Sequence, residues 1–216
     1  MIRIGLALAA AALLAACGEP KVMPYKTVPI SPFLGEPVLG DPNSPVEIIE
    51  YASTTCSQCW ALHEKVMPDL KKAYIDTGKA HLRYRVMPTP PPELSMAGAA
   101  IARCAGEKKF FDVIQDLFDK QPQLIEAARS PGRVQQLLVS VGGRHGLSAD
   151  QVGTCVNDKS IQETTIKIAS EAPSFVTGTP TLIVNGEVVE EHTLAALSEA
   201  IDAKLAKGPA AQPSPN

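Results

Sequence analysis

The chain has 216 residues, 45% of them apolar, and sets 20 lysines and arginines against 23 aspartates and glutamates for a net charge of -3. That length suits one ordinary domain with residues to spare, and the apolar content excludes global disorder. The acidic balance gives no electrostatic footing for nucleic acid, and beyond residues 1–16 no apolar run reaches the roughly 18 residues that span a bilayer.

Met1-Ile2-Arg3 is followed by an apolar, alanine-rich stretch ending at Ala16. A positive start, a short apolar core and small residues at its end describe an export signal over residues 1–16. The stretch closes on Leu14-Ala15-Ala16-Cys17, which resembles the lipobox of bacterial lipoproteins. That resemblance implies lipidation of Cys17 and a periplasmic domain anchored to a membrane. Gly18 is compatible with the outer membrane. The alternative is an ordinary cleaved signal. Without Cys17, four of the five cysteines remain, an even number in an oxidising compartment. Seven prolines interrupt residues 18–45, so no continuous helix forms there. Residues 17–37 read as a proline-rich tether and residues 207–216 as a disordered tail.

Val46 to Tyr51 is a short β-rich run, hence a strand. A helical pattern follows, with Cys59, Leu62, Val66 and Leu70 on one face. Thr54 or Thr55 is expected to cap its start, and Pro68 predicts a kink. His81 to Val86 alternates as a strand with one wetter face. From about Pro92 to Ala172 the period is helical, with stripes through Ala97, Ala100, Ile101 and Cys104 and through Phe111, Ile114, Leu117 and Phe118. Ser148-Ala149-Asp150-Gln151 has the pattern of a capping box. Thr181 to Val184 returns to strand, Asn185-Gly186 marks a tight hairpin, and Leu194 to Leu205 closes the chain as a helix.

The chemistry concentrates in Cys56-Ser57-Gln58-Cys59, placed after a strand and at the first turn of a helix. Free N–H groups and a partial positive charge at a helix start stabilise a thiolate there. Two intervening residues keep both sulfurs within disulfide reach. Cys56 can then attack or be attacked, and Cys59 can resolve the mixed disulfide. Half of a structural zinc site is the competing reading, and it lacks matching ligands elsewhere. Glu50 shares strand parity with Val46 and Ile48. It therefore points inward, where a carboxyl can exchange a proton with a thiol, unless it is a strand-end glutamate reaching solvent.

Residues Leu39 to Tyr51 running into Cys56-Ser57-Gln58-Cys59, together with Gly178-Thr179-Pro180-Thr181-Leu182-Ile183-Val184-Asn185-Gly186, resemble the two signatures of the DsbA-like branch of the thioredoxin superfamily. The likeness covers about residues 38–206. It implies an α/β thioredoxin fold over residues 38–91 and 173–206. An all-helical domain, residues 92–172, would be inserted between the second strand and the cis-proline strand. It implies that Pro180 is cis beside Cys56 and Cys59, and that the Thr179 backbone pairs with an extended substrate peptide. The branch carries an acidic residue at the place of Glu50, so Cys56, Cys59, Pro180 and Glu50 form the expected catalytic set. Its best-known enzymes carry Pro-His between the cysteines. Ser57-Gln58 here is uncharged, which implies a less oxidising couple.

Cys104 and Cys155 lie on apolar stripes of the helical block. Two readings stand: buried free thiols, or a structural disulfide, which an exported protein favours and which similar DsbA-like proteins sometimes carry. His63, His81, His145 and His192 share no spacing and read as surface or strand residues. The expected function is exchange of disulfides with reduced or unfolded exported proteins, more as an oxidase than an isomerase. The protein would be a monomer that needs no metal or cofactor and has a membrane redox partner. The alternatives are a reductase for one client and a non-catalytic peptide- or Cu(I)-binding protein.

Overall fold

The computed structural model describes residues 20–207. Cys17, the leader and residues 208–216 lie outside the described residues. The sheet has five strands in the order β1-β3-β2-β4-β5: β1 (Val38–Leu39), β2 (Val46–Ala52), β3 (Ala80–Val86), β4 (Thr181–Val184) and β5 (Glu187–Val189). β2 and β3 run parallel, and the other neighbours are antiparallel. Strand β1 was not expected. Its two residues, between Pro37 and Gly40, are too few to show an alternation. It adds an edge to β3, so the helical block leaves the sheet after the third strand in chain order and returns at β4.

Val46, Ile48, Glu50 and Ala52 point to one face of β2, all 0% exposed. In register beside them on β3 stand Ala80, Leu82, Tyr84 and Val86. This face is covered by α1 (Ser57–Lys65), α2 (Met67–Leu70) and α9 (Leu194–Ala206), whose Leu62, Leu70, Leu197 and Ile201 fill the space over it. Each such buried side chain contributes about 1.5–3 kcal/mol by leaving water. The opposite face buries a small apolar cluster of Tyr51, Val176 and Ile183. Its wetter part carries ion pairs from Arg83 to Glu36 and Glu47 and from Arg85 to Glu36. The Asn185-Gly186 turn joins β4 to β5 with both residues at positive φ, 43° and 84°, the conformation a two-residue hairpin demands.

The chain breaks between α1 and α2 at Val66 (φ -119°) rather than at Pro68. The proline ring disfavours helical geometry upstream, and Pro68 sits in the first turn of α2, where its missing N–H costs nothing. A π-helical turn, Lys71–Ile75, follows.

Between β3 and β4 run α3 (Pro92–Cys104), α4 (Phe110–Asp119), α5 (Gln121–Ala127), α6 (Pro131–Arg144), α7 (Ala149–Val156) and α8 (Lys159–Ser170). Their core is built on Ile101, Phe110, Ile114, Leu117 and Phe118, and it reaches the sheet through Ala52, Tyr84 and Val86. Ser148 and Gln151 form the reciprocal capping box at α7, as the pattern required. Residues 20–37 form no helix or strand, yet they are held by specific bonds. Arg103, 1% exposed, donates from Nη1 to the carbonyls of Phe33 and Gly35 at 2.9 and 3.0 Å. Phe33 N–H donates to the Arg103 carbonyl at 2.9 Å, and Val28 N–H to Thr154 Oγ1 at 3.2 Å.

Candidate active site

Strand β2 ends in a buried turn, Ser53-Thr54-Thr55, tied by hydroxyl bonds. Ser53 Oγ lies 2.9 Å from Thr55 Oγ1 and 2.7 Å from Ser95 Oγ, and Thr55 Oγ1 donates to the Thr89 carbonyl at 2.8 Å. These bonds occupy the threonine hydroxyl expected at the helix cap. The N-cap of α1 is instead Cys56, whose Sγ accepts the Cys59 N–H at 3.3 Å. A sulfur in that place holds negative charge where the helix offers unsatisfied N–H groups.

The Cys56 thiol is lowered to about 5 from its ordinary 9. Hydrogen bonding from the Cys59 side chain is the leading cause, opposed by partial burial and helped by Thr179 and by the N–H groups of Cys59 and Gln58. Cys59, 0% exposed, is pushed the other way by burial, reinforced by its bond to Cys56 and by the nearby Glu50. The pair therefore divides into one thiolate and one protected thiol.

The second signature meets the first across 123 residues, with Cys56 Sγ 3.3 Å from the Thr179 carbonyl oxygen, which accepts from the sulfur when it is protonated. The Thr179–Pro180 bond is cis, and Pro90–Pro91 is cis as well. Glu50 lies inward under the site at 0% exposed. Its two oxygens stand 3.0 and 3.1 Å from His63 Nε2. His63 was expected at the surface or on a strand. It is buried on α1, one turn after Cys59, with its ring stacked on Phe118 at 4.2 Å. Tyr84 is Glu50's register partner on β3. Burial and the neighbouring Glu50 raise its phenol well above the usual range.

Sequence reasoning also missed Gln121. From the start of α5 its Nε2 donates to the carbonyls of Thr54 and Cys56, both at 2.9 Å. The helical block thereby grips the backbone at Cys56. Nothing local marks Gln121, because its partners lie 65 and 67 residues away. Cys104 and Cys155 are joined by a disulfide linking α3 to α7. Among the described residues no group of three or more His, Cys, Asp or Glu side chains is arranged to hold a metal ion.

A family model described as "Thioredoxin" matches residues 34–203. The chain belongs to that thioredoxin family. Within it the chain is DsbA-like. The crystal structure of Wolbachia pipientis alpha-DsbA1 is 26% identical, with a TM-score of 0.69 over 82% of this chain and 94% of that one. Oxidised BdbD from Bacillus subtilis, 20% identical, shares the fold with a TM-score of 0.71 over 83% of this chain and 98% of that one. A Rickettsia bellii protein named "Putative protein-disulfide oxidoreductase" is 31% identical over 168 residues, 76% of this chain and 62% of its own length. The thioredoxin-like chain thus spans about three fifths of the curated relatives it matches first.

Proposed function

We propose that the chain is a thiol–disulfide oxidoreductase of exported proteins that works mainly as an oxidase. The observation that carries this reading is the reactive pair itself. Cys56 caps a helix with its thiol lowered to about 5, against the carbonyl before a cis proline, while Cys59 lies sealed beneath it. Relatives named for disulfide chemistry support the same class.

In this reading a substrate thiolate attacks Cys56 Sγ of the oxidised pair, and Cys59 leaves. A second substrate thiolate then displaces Cys56, which departs as a stabilised thiolate, and the substrate keeps the disulfide. Stabilising the reduced form in this way makes the couple oxidising; the uncharged Ser57-Gln58 tempers it. Glu50 supplies the proton that buried Cys59 takes up on leaving. The Thr179 backbone and Pro180 receive an extended peptide by strand addition, which selects little by side chain and suits varied clients. Cys104–Cys155 braces the helical layer. Cys17 carries a lipid that keeps a monomer at the periplasmic face of a membrane, where a membrane redox partner reoxidises the pair.

Oxidation of a reduced, unfolded substrate by the wild type and by Cys56→Ala tests the mechanism. The variant is expected to be inactive; unchanged activity refutes the assignment. Mass spectrometry of the membrane-extracted N-terminus tests the anchor, an unmodified Cys17 overturning it.

A further inference from the structure

When a peptide covers Cys56 and Pro180, the front of the site is closed. Cys59 and Glu50 beneath it are each 0% exposed, so a proton given by Glu50 to Cys59 must be replaced from elsewhere. Among the described residues the side-chain partner of the Glu50 carboxylate is His63 Nε2, at 3.0 and 3.1 Å. His63 also lines a cavity of about 330 Å³ with Met67, Leu82, Phe111, Asp112 and Gln115. Asp112 and Gln115 are exposed, so the cavity meets solvent beside α4. None of Cys56, Cys59, Thr179 and Pro180 lines it.

We propose that His63 is a positioning residue that reloads Glu50 with protons from solvent through this rear cavity. The proposal rests on the thiol–disulfide reading above and adds its proton route. The balance is complete. The substrate dithiol gives two electrons and two protons in becoming a disulfide. The Cys56–Cys59 bond takes both electrons, leaving a Cys56 thiolate and a Cys59 thiol. One proton ends on Cys59 by way of Glu50, and the other goes to water. Imidazole suits the relay because it gains and loses a proton in the neutral range with two separate nitrogens. Nε2 serves Glu50, and Nδ1 has no partner among the described residues. The ionisable groups around His63 are Glu50 from β2, Tyr84 from β3, Cys59 one turn earlier on α1, and Asp112 from α4 and Lys71 after α2, which line the same cavity.

Trp60 is the chain's sole tryptophan and follows Cys59, so its fluorescence reports on the pair. The experiment mixes oxidised protein with a reduced peptide and follows the rate against pH for wild type, His63→Gln and His63→Ala. His63→Phe, which keeps a ring against Phe118, replaces the glutamine variant if that melts early. The expected result at pH 7 is a slowing of about tenfold or more in His63→Gln, with a pH profile that differs from the wild type. Imidazole in the buffer is expected to restore His63→Ala through the enlarged cavity, while alkylation of reduced Cys56 stays at the wild-type rate. A purely packing role for the ring would give no such rescue. A wild-type rate and pH profile in His63→Gln overturns the proposal, and so does a slow His63→Ala that imidazole leaves slow. Persisting exchange in Cys56→Ala would instead refute the underlying reading.

Discussion

Reducing the Cys56–Cys59 pair is expected to stabilise the fold more at pH 7 than at pH 4, relative to the oxidised protein. The cause is the Cys56 thiol, lowered from about 9 in the open chain to about 5 in the fold. A depressed value stabilises the native state fully above the unfolded value, and that stabilisation is lost as pH falls through the folded one. At pH 7 the thiolate stands two units above its folded value, worth about 2.7 kcal/mol at about 1.36 kcal/mol per unit. Cys56 is only half-buried, and screening reduces this to about 1–1.5 kcal/mol. Cys59 contributes nothing over this interval because burial keeps it a thiol. The entropy of closing the short loop does not depend on pH and cancels, as do carboxylates that titrate alike in both redox forms. For a domain of this size the melting difference, reduced minus oxidised, should grow by roughly 2–6 °C between pH 4 and pH 7. Calorimetry of both forms measures it, with mass spectrometry verifying that Cys104–Cys155 stays closed. A difference that does not change with pH, or that shrinks, refutes the placement of a thiolate on Cys56.

Other consequences are equally specific. Cys59→Ala should accumulate a mixed disulfide with a disulfide-bearing substrate, formed when the Cys56 thiolate attacks that bond and a substrate thiolate leaves, and seen on a non-reducing gel because no second cysteine resolves it; absence of the adduct contradicts the division of labour. Replacing Cys104 and Cys155 together by alanine opens a link across 51 residues. The chain-entropy model then gives a loss of about 4 kcal/mol, read as a lower melting temperature. Arg103→Met removes two charge-assisted bonds to the carbonyls of Phe33 and Gly35. The cost is about 2–4 kcal/mol, and trypsin should cut at Lys26 faster; unchanged protection there counts against Arg103 as the clamp.

The strands Val46–Ala52 and Ala80–Val86, the Asn185-Gly186 hairpin and the α7 capping box follow from local rules of alternation, turn chemistry and capping, so each was readable from the residues. The placement of Cys56 and Cys59 at the start of α1 was readable too, because a helix start and a cysteine spacing are local facts. Cys56 as its own cap was not, since the usual capping side chains are oxygen-bearing and two threonines stood nearby. His63 carried a signal that went unused. It falls one turn after Cys59 in the buried stripe of α1, and an inward Glu50 needs a polar partner. Gln121 carried none. Its two bonds exist only because α5 packs onto the loop before α1, and tertiary packing of that kind leaves no mark in nearby sequence.

One measurement bears on disulfide transfer before all others. Oxidised protein is mixed with an equal amount of a reduced two-cysteine peptide, quenched at intervals and analysed by mass spectrometry. The expected course is a transient mixed disulfide at Cys56, then a peptide disulfide with Cys56 and Cys59 reduced and Cys104–Cys155 untouched. A peptide that stays reduced, or an adduct that forms first at Cys104 or Cys155, would contradict it.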